Sequence, residues 1–317
     1  MKESTKEFWK RLGRERYLQI MALLGILWML IFNYVPMYGL LVAFKENFRI
    51  IDNMFSTSFL TSRWAPSGGF GHFVTFVKDP QFTNVLTNTL GISLLKLFIG
   101  FPLPIIFALF LNELQSRNFK RTVQTISYLP HFLSWVVLGG ILTTWMSDTG
   151  FFNEILVKFH VIKEPIIFLA YPQYFWGIVV VSDIWKGLGW SAIIYLAAIA
   201  GIDQEMYEAA ELDGASRLMR MWAITLPCMM GTITILFILA IGGLLNSNFD
   251  QIFVLWNQLN SERSMVIDIY VYDVAMRGRS MRLSYASAIG LFKSIVAFAL
   301  LFGANQVTKK LNDVSLF

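Results

Sequence analysis

Few residues in this sequence form patterns known from enzymes or metal sites. His72, His131 and His160 stand far apart, and neither HExxH nor GxSxG occurs, so no zinc site or serine nucleophile is indicated. No glycine is followed by lysine, which excludes a Walker A phosphate loop. The single cysteine, Cys228, cannot form an internal disulfide and is interpreted as a packing residue. The sequence predicts no catalytic residue, no metal site and no cofactor bound by this chain.

Charged and aromatic residues in the stretch "SDIWKGLGW" are better candidates for function. Asp183, Lys186 and Trp190 follow at i, i+3 and i+7, a spacing that places them on one face of a helix. Charged groups at mid-membrane depth usually face the protein interior or a wet path. With Trp185 they offer hydrogen-bonding groups and flat rings for a polar solute. The alternative is an ion pair between Asp183 and Lys186 that only positions the helix.

Other polar residues near apolar stretches are weaker candidates. Lys96 and Lys293 are expected to extend to a membrane edge, as long cationic side chains commonly do. The weaker candidates are Asn246, Asn248 and Asp250 at the outer end of the fifth apolar stretch, and His131 two turns into the third.

Six apolar runs are long enough to position these residues across a membrane. Charged residues make up 15% of the 317 residues, against roughly 25% in soluble domains. A helix of ~20 apolar residues crosses the hydrocarbon layer, and helices satisfy their own backbone groups there. Pro102 and Pro104 are expected to kink the second span. The predicted spans are Tyr17–Phe44, Leu86–Leu111, Val123–Met146, Phe175–Gly201, Cys228–Leu245 and Tyr285–Val307.

The distribution of Lys and Arg predicts the orientation. These residues are denser in 1–16, 113–122, 203–227 and 308–317 than in the segments that alternate with them. By the positive-inside rule, both termini are cytoplasmic. The first apolar run exceeds the roughly 7–15 residues of a signal-peptide core, so it is predicted to be a retained span. The net charge of +5 follows from this distribution and does not require a nucleic-acid partner.

The segment "EMYEAAELDGASRLMRMWAITLP" is charged although apolar runs flank it. Asp203 is a suitable cap for a helix that begins beside it, and Gly214 supplies a left-handed residue that ends this helix. Ser216 is a suitable cap for a second short helix, and Pro227 suits the first turn of the fifth span. The sequence predicts two short helices at an angle, outside the bilayer. The alternative is an ordinary amphipathic loop at the membrane surface.

Fixed spacings in this segment match a known family. The segment resembles the EAA loop of binding-protein-dependent ABC importer permeases. The matching residues are Glu208-Ala209-Ala210, then Gly214 after three residues, and Ile224-x-Leu226-Pro227 after nine more. The flanking "DIWKGLGWSAIIYLAAIAGID" and "YASAIGLFKS" are similar to the carbohydrate-uptake branch. "NYVPMYGLLVAF" and "YLPHFLSWVV" are similar to permeases for oligo- and polysaccharides. The resemblance covers nearly the whole chain.

The resemblance implies an all-α membrane protein of six transmembrane helices, with a type I ABC importer permease (MetI-like) core formed by helices 2–6. The implied organisation is a cytoplasmic segment 1–16, a first helix and outer loop over 17–85, a permease core over 86–307 and a cytoplasmic tail at 308–317. In this family the loop, here 203–227, docks on a separate ATPase. The implied coupling residues are Glu208, Ala209, Ala210, Asp213, Gly214, Ile224, Leu226 and Pro227.

The implied function is that of a permease subunit, not an enzyme, which moves an oligosaccharide or polysaccharide into a bacterial cell through its inner or plasma membrane. The implied partners are a second homologous permease, two ATPase subunits carrying ATP and Mg, an extracytoplasmic solute-binding protein, the sugar and membrane lipid. The candidate substrate path is Asp183, Trp185, Lys186, Trp190, Asn246 and Asn248.

Other hypotheses remain open beside this one. The solute of such a permease need not be a sugar. An ion-coupled carrier would need no ATPase, and the EAA-like loop would then be a coincidence. An intramembrane enzyme would need a convergent catalytic set, which the sequence lacks.

Overall fold

Helices make up nearly all of the described structure. This structure, a computed structural model, describes residues 14–46, 48, 57–277 and 282–312; in the predicted terminal segments, residues 1–13 and 313–317 lie outside it. Within these ranges, no strand forms beyond an isolated antiparallel bridge between Lys45 and Trp64. The helices in chain order are α1 (Arg16–Phe44), α2 (Thr57–Thr61), α3 (Gly71–Val77), α4 (Phe82–Asn112), α5 (Arg117–Phe132), α6 (Trp135–Trp145), α7 (Phe151–Lys158), α8 (Pro172–Ala200), α9 (Gln204–Leu212), α10 (Arg217–Gly242), α11 (Phe249–Leu255), α12 (Ser261–Ser264), α13 (Ile267–Tyr272, continued by a π turn Asp273–Arg277) and α14 (Leu283–Asn312).

Five of these helices are long and apolar enough to cross a membrane: α1, α4, α8, α10 and α14. The bent pair α5 and α6 provides a sixth span when it is counted as one. In the first part of α1, Arg16–Met29, no residue is buried, as suits an apolar helix that faces lipid. The predicted fold class, an all-α membrane protein of six spans, is confirmed.

The third predicted span, Val123–Met146, is not one straight helix. Helix α5 ends in a 3₁₀ turn that contains Pro130, and α6 begins after an extended residue, Leu133. The Ser134 hydroxyl accepts a hydrogen bond from the Val137 amide at 3.2 Å and caps the new helix. The two helices therefore meet at 98°.

Three spans contain a π turn two residues before a proline. The amide nitrogens of Val35, Phe101 and Leu226 bond to carbonyl oxygens five residues earlier. The prolines that follow are Pro36, Pro102 and Pro227. A proline ring clashes with the carbonyl four residues earlier in a regular α-helix, and the wider turn removes that clash. Helix α4 therefore continues through Pro102 and Pro104 as one span, and the kink expected there stays a prediction.

The chain divides into two compact units, Met1–Phe76 with Val274–Leu291, and Val77–Asp273 with Phe292–Phe317. Within the first unit, Lys45 is only 2% exposed. Its ammonium donates to the carbonyl oxygens of Leu60 and Ser62 at 3.0 and 2.9 Å and lies 4.1 Å from the centre of the Trp64 ring. These contacts stabilise a buried charge and fold 57–64 back beside it.

The second unit is built around α8. Its core has two apolar clusters, one containing Phe175 and Val179 and the other containing Tyr195 and Ile199. Glycines allow other segments to approach closely: a β-carbon on Gly91 would overlap the Trp176 ring, and one on Gly189 would overlap the Ser127 backbone. This packing fixes the middle of α8, where the candidate polar residues lie.

Candidate functional site

The first helix of the candidate loop has the predicted start and end. The Asp203 carboxylate accepts from the Glu205 amide at 3.0 Å, which caps α9. Gly214 has a φ of 78°, in the left-handed region. The Ala215 amide returns to the Ala210 carbonyl at 2.9 Å, and the Gly214 amide bonds to Glu211 at 3.0 Å, as in a Schellman end. The helix is therefore fixed at both termini.

The second helix of the loop differs from the prediction. The Ser216 hydroxyl accepts from the Met219 amide at 3.3 Å, so the predicted cap is confirmed. However, the helix that follows runs without interruption from Arg217 to Gly242. Pro227 lies well inside it rather than in a first turn, because the π turn Met221–Thr225 accommodates the proline. The loop therefore continues into the fifth span as one helix, so a displacement of the loop would move that span.

Two side-chain contacts join α9 to α10. The Tyr207 hydroxyl is hydrogen-bonded to Thr225 Oγ1 at 2.9 Å, and Thr225 is only 1% exposed. Arg220 forms an ion pair with Glu211 at 2.7 Å. Ile224 and Leu226 pack with Tyr207 against the apolar cluster at the end of α8. The loop is therefore braced against two spans.

The predicted coupling residues separate into an outward and an inward group. Glu208, Ala209, Asp213 and Gly214 are exposed, as is Pro227 on α10, whereas Ala210, Ile224 and Leu226 are half-buried. Exposed apolar side chains occur in the same loop, among them Met206, Leu218 and Leu212, which is 90% exposed. An exposed apolar rim beside a rigid helix is typical of a surface that docks on another protein.

Asp183 pairs with Lys96 rather than with Lys186. Lys96 Nζ lies 3.3 Å from Asp183 Oδ1, and the two side chains are 17% and 31% exposed. The Asn248 amide nitrogen is 3.4 Å from the same carboxylate oxygen. Lys96 therefore does not extend to a membrane edge as predicted. The same correction holds for Lys293, which forms an ion pair with Asp268.

A glutamine connects this ion pair to the backbone of α8. Gln251 is fully buried; its side-chain oxygen accepts from Lys96 Nζ at 2.8 Å. Its amide nitrogen donates to the Val179 carbonyl at 2.7 Å and to Ser182 Oγ at 2.9 Å. We call Lys96, Asp183, Gln251 and Ser182 the polar cluster. It joins α4, α8 and α11 in the apolar interior.

Lys186 and Trp190 converge on His131, at the bend between α5 and α6. Lys186 Nζ donates to the His131 carbonyl at 2.6 Å. The Trp190 indole stacks on the His131 ring, with centroids 4.4 Å apart and the planes within 1°. Among the described residues, no carboxylate forms an ion pair with Lys186. The alternative of an Asp183–Lys186 pair is wrong, because the two side chains turn to different helices.

The remaining candidates have separate surroundings. Trp185 is 47% exposed and lines an apolar cavity of about 720 Å³ with Trp145 and Phe168. Asn246 is exposed and lines a cavity beside Lys96, while Asp250 is exposed. The structure therefore divides the predicted substrate path into three neighbourhoods.

Sequence interpretation missed Lys96, Gln251 and Ser182 as members of this site. A signal for Lys96 was present, because it lies near the middle of a span and far from both ends. A lysine that deep cannot reach the headgroups easily and usually pairs inside the protein. Gln251 and Ser182 have no comparable signal, since uncharged polar residues occur widely in membrane helices.

The fold and the braced loop define a membrane component of a transport system. The family of binding-protein-dependent transport system inner membrane components matches residues 100–312, and the chain belongs to this family. It is therefore a permease of the ABC transporter class, and the resemblance noted in the sequence is confirmed.

Curated relatives and solved structures match almost the whole chain. Protein LplB of Bacillus subtilis (strain 168) is 41% identical over 307 residues, covering 96% of this chain and 92% of that protein. The polygalacturonan/rhamnogalacturonan transport system permease protein YteP of the same organism is 38% identical over 317 residues, covering 100% and 95%. The crystal structure of a bacterial ABC transporter involved in the import of the acidic polysaccharide alginate contains a chain with a TM-score of 0.84 and 36% identity, covering 96% of this chain and 99% of that one.

Proposed function

We propose that this chain is the permease subunit of an ATP-binding-cassette importer that moves an oligosaccharide or polysaccharide into a bacterial cell. Relatives named as permeases for such sugars support the substrate class, as does the likeness to the alginate importer. Membership of a binding-protein-dependent family leaves the ion-coupled carrier without support. The observation that carries the proposal is the rigid, outward-facing loop at 203–227.

The loop couples this chain to a separate ATPase. Glu208, Ala209 and Gly214 meet a cleft on that subunit, and the exposed Leu212 inserts beside them. When two ATPase subunits close on ATP and Mg, α9 moves with them. Because α10 is continuous from the loop into the membrane, the displacement reaches the spans directly, and they alternate between inward- and outward-facing states.

The complete importer needs further chains. A second, similar permease provides the other half of the pathway, and an extracytoplasmic solute-binding protein delivers the sugar. One solved relative is in complex with a periplasmic protein bound to an alginate pentasaccharide, which supports such a partner. Docking on a cytoplasmic ATPase places 203–227 inside the cell, and both termini then lie on the cytoplasmic side, in agreement with the charge distribution.

The sugar passes beside the bend between α5 and α6. The stacked pair Trp190–His131 offers a flat face for the C–H side of a sugar ring, and Trp190 is 46% exposed. Lys186 and Asp183 supply polar groups at the same depth. Asn246 and Asn248 extend this surface toward the end of α10.

Crosslinking from position 208 tests the coupling proposal. Cys228 is exposed, so a Cys228→Ser background removes the only native thiol before Glu208→Cys is introduced. We expect a bifunctional reagent to join Glu208→Cys to the ATPase subunit in purified complexes. Lys158→Cys, exposed at the end of α7, is the matched control and should not crosslink. Capture of the ATPase by both positions or by neither contradicts the proposal.

A second experiment tests the path. Trp190→Ala removes the stacked ring and should lower sugar uptake more than it lowers ATPase activity without substrate. Trp190→Phe keeps a ring for stacking and should retain most of the uptake. Equal uptake by the wild type and Trp190→Ala removes this residue from the path and leaves the coupling proposal standing.

A further inference from the structure

A small cavity lies between α4 and α10, on one side of the polar cluster. Its volume is about 220 Å³, which is roughly seven times the ~30 Å³ that one water occupies in the liquid. Ser93, Lys96 and Asn246 supply its polar lining, and Phe101 contributes an aromatic wall. Lys96 also borders a second cavity of about 110 Å³, which Asp183 lines. Lys96 therefore separates two compartments of different charge.

Two polar groups that line the larger cavity, the Ser93 hydroxyl and the Lys96 ammonium, have fewer hydrogen-bond partners within the described ranges than they can bind. The Ser93 hydroxyl has no hydrogen-bond partner among the described residues, although Ser93 is only 6% exposed. Lys96 has Asp183 and Gln251 as its partners in the described structure, and an ammonium group has three donors. A buried donor without a partner is costly. Both groups are satisfied if a ligand with acceptor oxygens enters.

The charge of the lining favours an anion. Every described residue that lines this cavity is neutral or cationic, whereas Asp183 lines the neighbouring one. The exposed Asp250 does not line it. An anionic oxygen would therefore meet the Lys96 ammonium without an opposing carboxylate in the same compartment. Charge-assisted hydrogen bonds of this kind are stronger than those between neutral groups.

We propose that this cavity binds the carboxylate of an acidic sugar residue, so that the transported oligosaccharide is a uronate-type chain. Lys96 is shared between Asp183 and the ligand carboxylate, Ser93 donates to the same carboxylate, and Phe101 packs on the apolar face of the ring. The π turn that begins at Lys96 holds the lysine at the head of both cavities. This inference rests on the proposed sugar-permease function and names its substrate class.

Transport by the reconstituted importer tests the inference. The whole complex, with one binding protein throughout, is assayed in proteoliposomes with oligogalacturonate and oligoalginate and with the methyl ester of each. An acid and its ester differ chiefly in charge. We expect the wild type to take up at least one acid. In Lys96→Met/Asp183→Asn the acid-to-ester uptake ratio should fall by about tenfold, because one charge-assisted hydrogen bond to the carboxylate is lost. The double change avoids leaving one buried charge alone.

Two further variants separate charge from space. Lys96→Arg keeps the cation and should preserve most of the acid-to-ester ratio. Gly243→Leu fills the cavity: a β-carbon at Gly243 meets only carbonyl oxygens of its own helix, at 3.5 and 3.6 Å. This change should abolish acid uptake while the assembled complex is still recovered from the membrane in wild-type amounts, and Gly243→Ala should have little effect.

The outcomes distinguish this inference from the function on which it rests. An unchanged ratio in the double variant, or full acid uptake by Gly243→Leu, overturns the carboxylate site. Wild-type uptake of the esters alone overturns the acidic class and leaves the sugar permease intact. Failure to move any of the four sugars also overturns the acidic class, and the sugar-permease function falls as well if neutral oligosaccharides of the same length are not taken up either.

Discussion

The loop at 203–227 and the polar cluster are held together by contacts of different range. In the loop, Asp203 caps a residue two positions away, and Tyr207 bonds to Thr225, 18 positions away. In the polar cluster, Lys96 bonds to Gln251 across 155 positions. The loop can therefore move as a unit without breaking its own bonds. A relative displacement of α4, α8 and α11 would break hydrogen bonds of the cluster. Its geometry therefore depends on how these three helices are arranged.

The surroundings of the two regions also differ. The outward loop residues are exposed, so hydrogen bonds that they form compete with water. Each such bond contributes about 1 kcal/mol to the free energy of unfolding. The cluster contains an ion pair in apolar surroundings, where removal of one partner leaves an uncompensated charge. Substitutions in the cluster should therefore cost more stability, and substitutions in the loop should affect coupling more than folding.

The largest effect is expected for Asp183→Asn. It leaves the Lys96 ammonium without its carboxylate. Breaking a fully buried pair costs about 3–5 kcal/mol, and because these side chains are 17% and 31% exposed, we expect a loss at the lower end of that range. Thermal unfolding of the purified complex in detergent measures the loss. Lys96→Met/Asp183→Asn removes both charges and should recover most of the stability. A double variant as unstable as Asp183→Asn would show that the pair is not the cause.

Gly214→Pro should come next. Proline cannot adopt a φ of 78°; a left-handed backbone costs about 1–2 kcal/mol for an ordinary residue, and the Gly214 amide bond to Glu211 is also lost. We expect normal membrane insertion but impaired ATP-driven uptake, measured in cells or in proteoliposomes loaded with ATP. Gly214→Asn tolerates the left-handed region and should retain uptake. Equal uptake by Gly214→Pro and the wild type contradicts a coupling role for this turn.

The caps of the loop should each have a smaller effect. Asp203→Ala and Ser216→Ala remove side-chain acceptors at two helix starts, at about 1 kcal/mol each. Hydrogen exchange of the loop amides should quicken in both variants. Ser116→Ala, which removes the cap of α5, is the control and should leave exchange in the loop unchanged. Faster exchange in the loop of the control would show that the caps do not act locally.

Glu211→Gln should have the smallest effect. Its ion pair with Arg220 involves a glutamate side chain that is 72% exposed, and exposed pairs contribute about 0–1 kcal/mol. Uptake and thermal stability should stay close to the wild-type values at physiological salt. A loss comparable to that of Asp183→Asn would mean that the pair transmits force rather than only bracing the loop.

Sequence interpretation succeeded where the determinants are local. Asp203, Gly214 and Ser216 act within a few residues, so caps and turns could be predicted from neighbours alone. The choice of Lys96 as the partner of Asp183 depends on how distant helices pack, and spacing along one helix holds no information on that. The bend after Pro130 was missed because the apolar run continues through it, and hydropathy does not distinguish a straight span from a broken one.

The three π turns that precede prolines also constrain how this chain can change in length. Each turn contains one residue more than a regular helix needs. Deletion of that residue would restore regular hydrogen bonding with little rotation of the flanking helix, but it would bring the proline ring back against a carbonyl. A gap within these spans in an aligned relative should therefore coincide with replacement of the proline, and insertions and deletions elsewhere carry no such linkage.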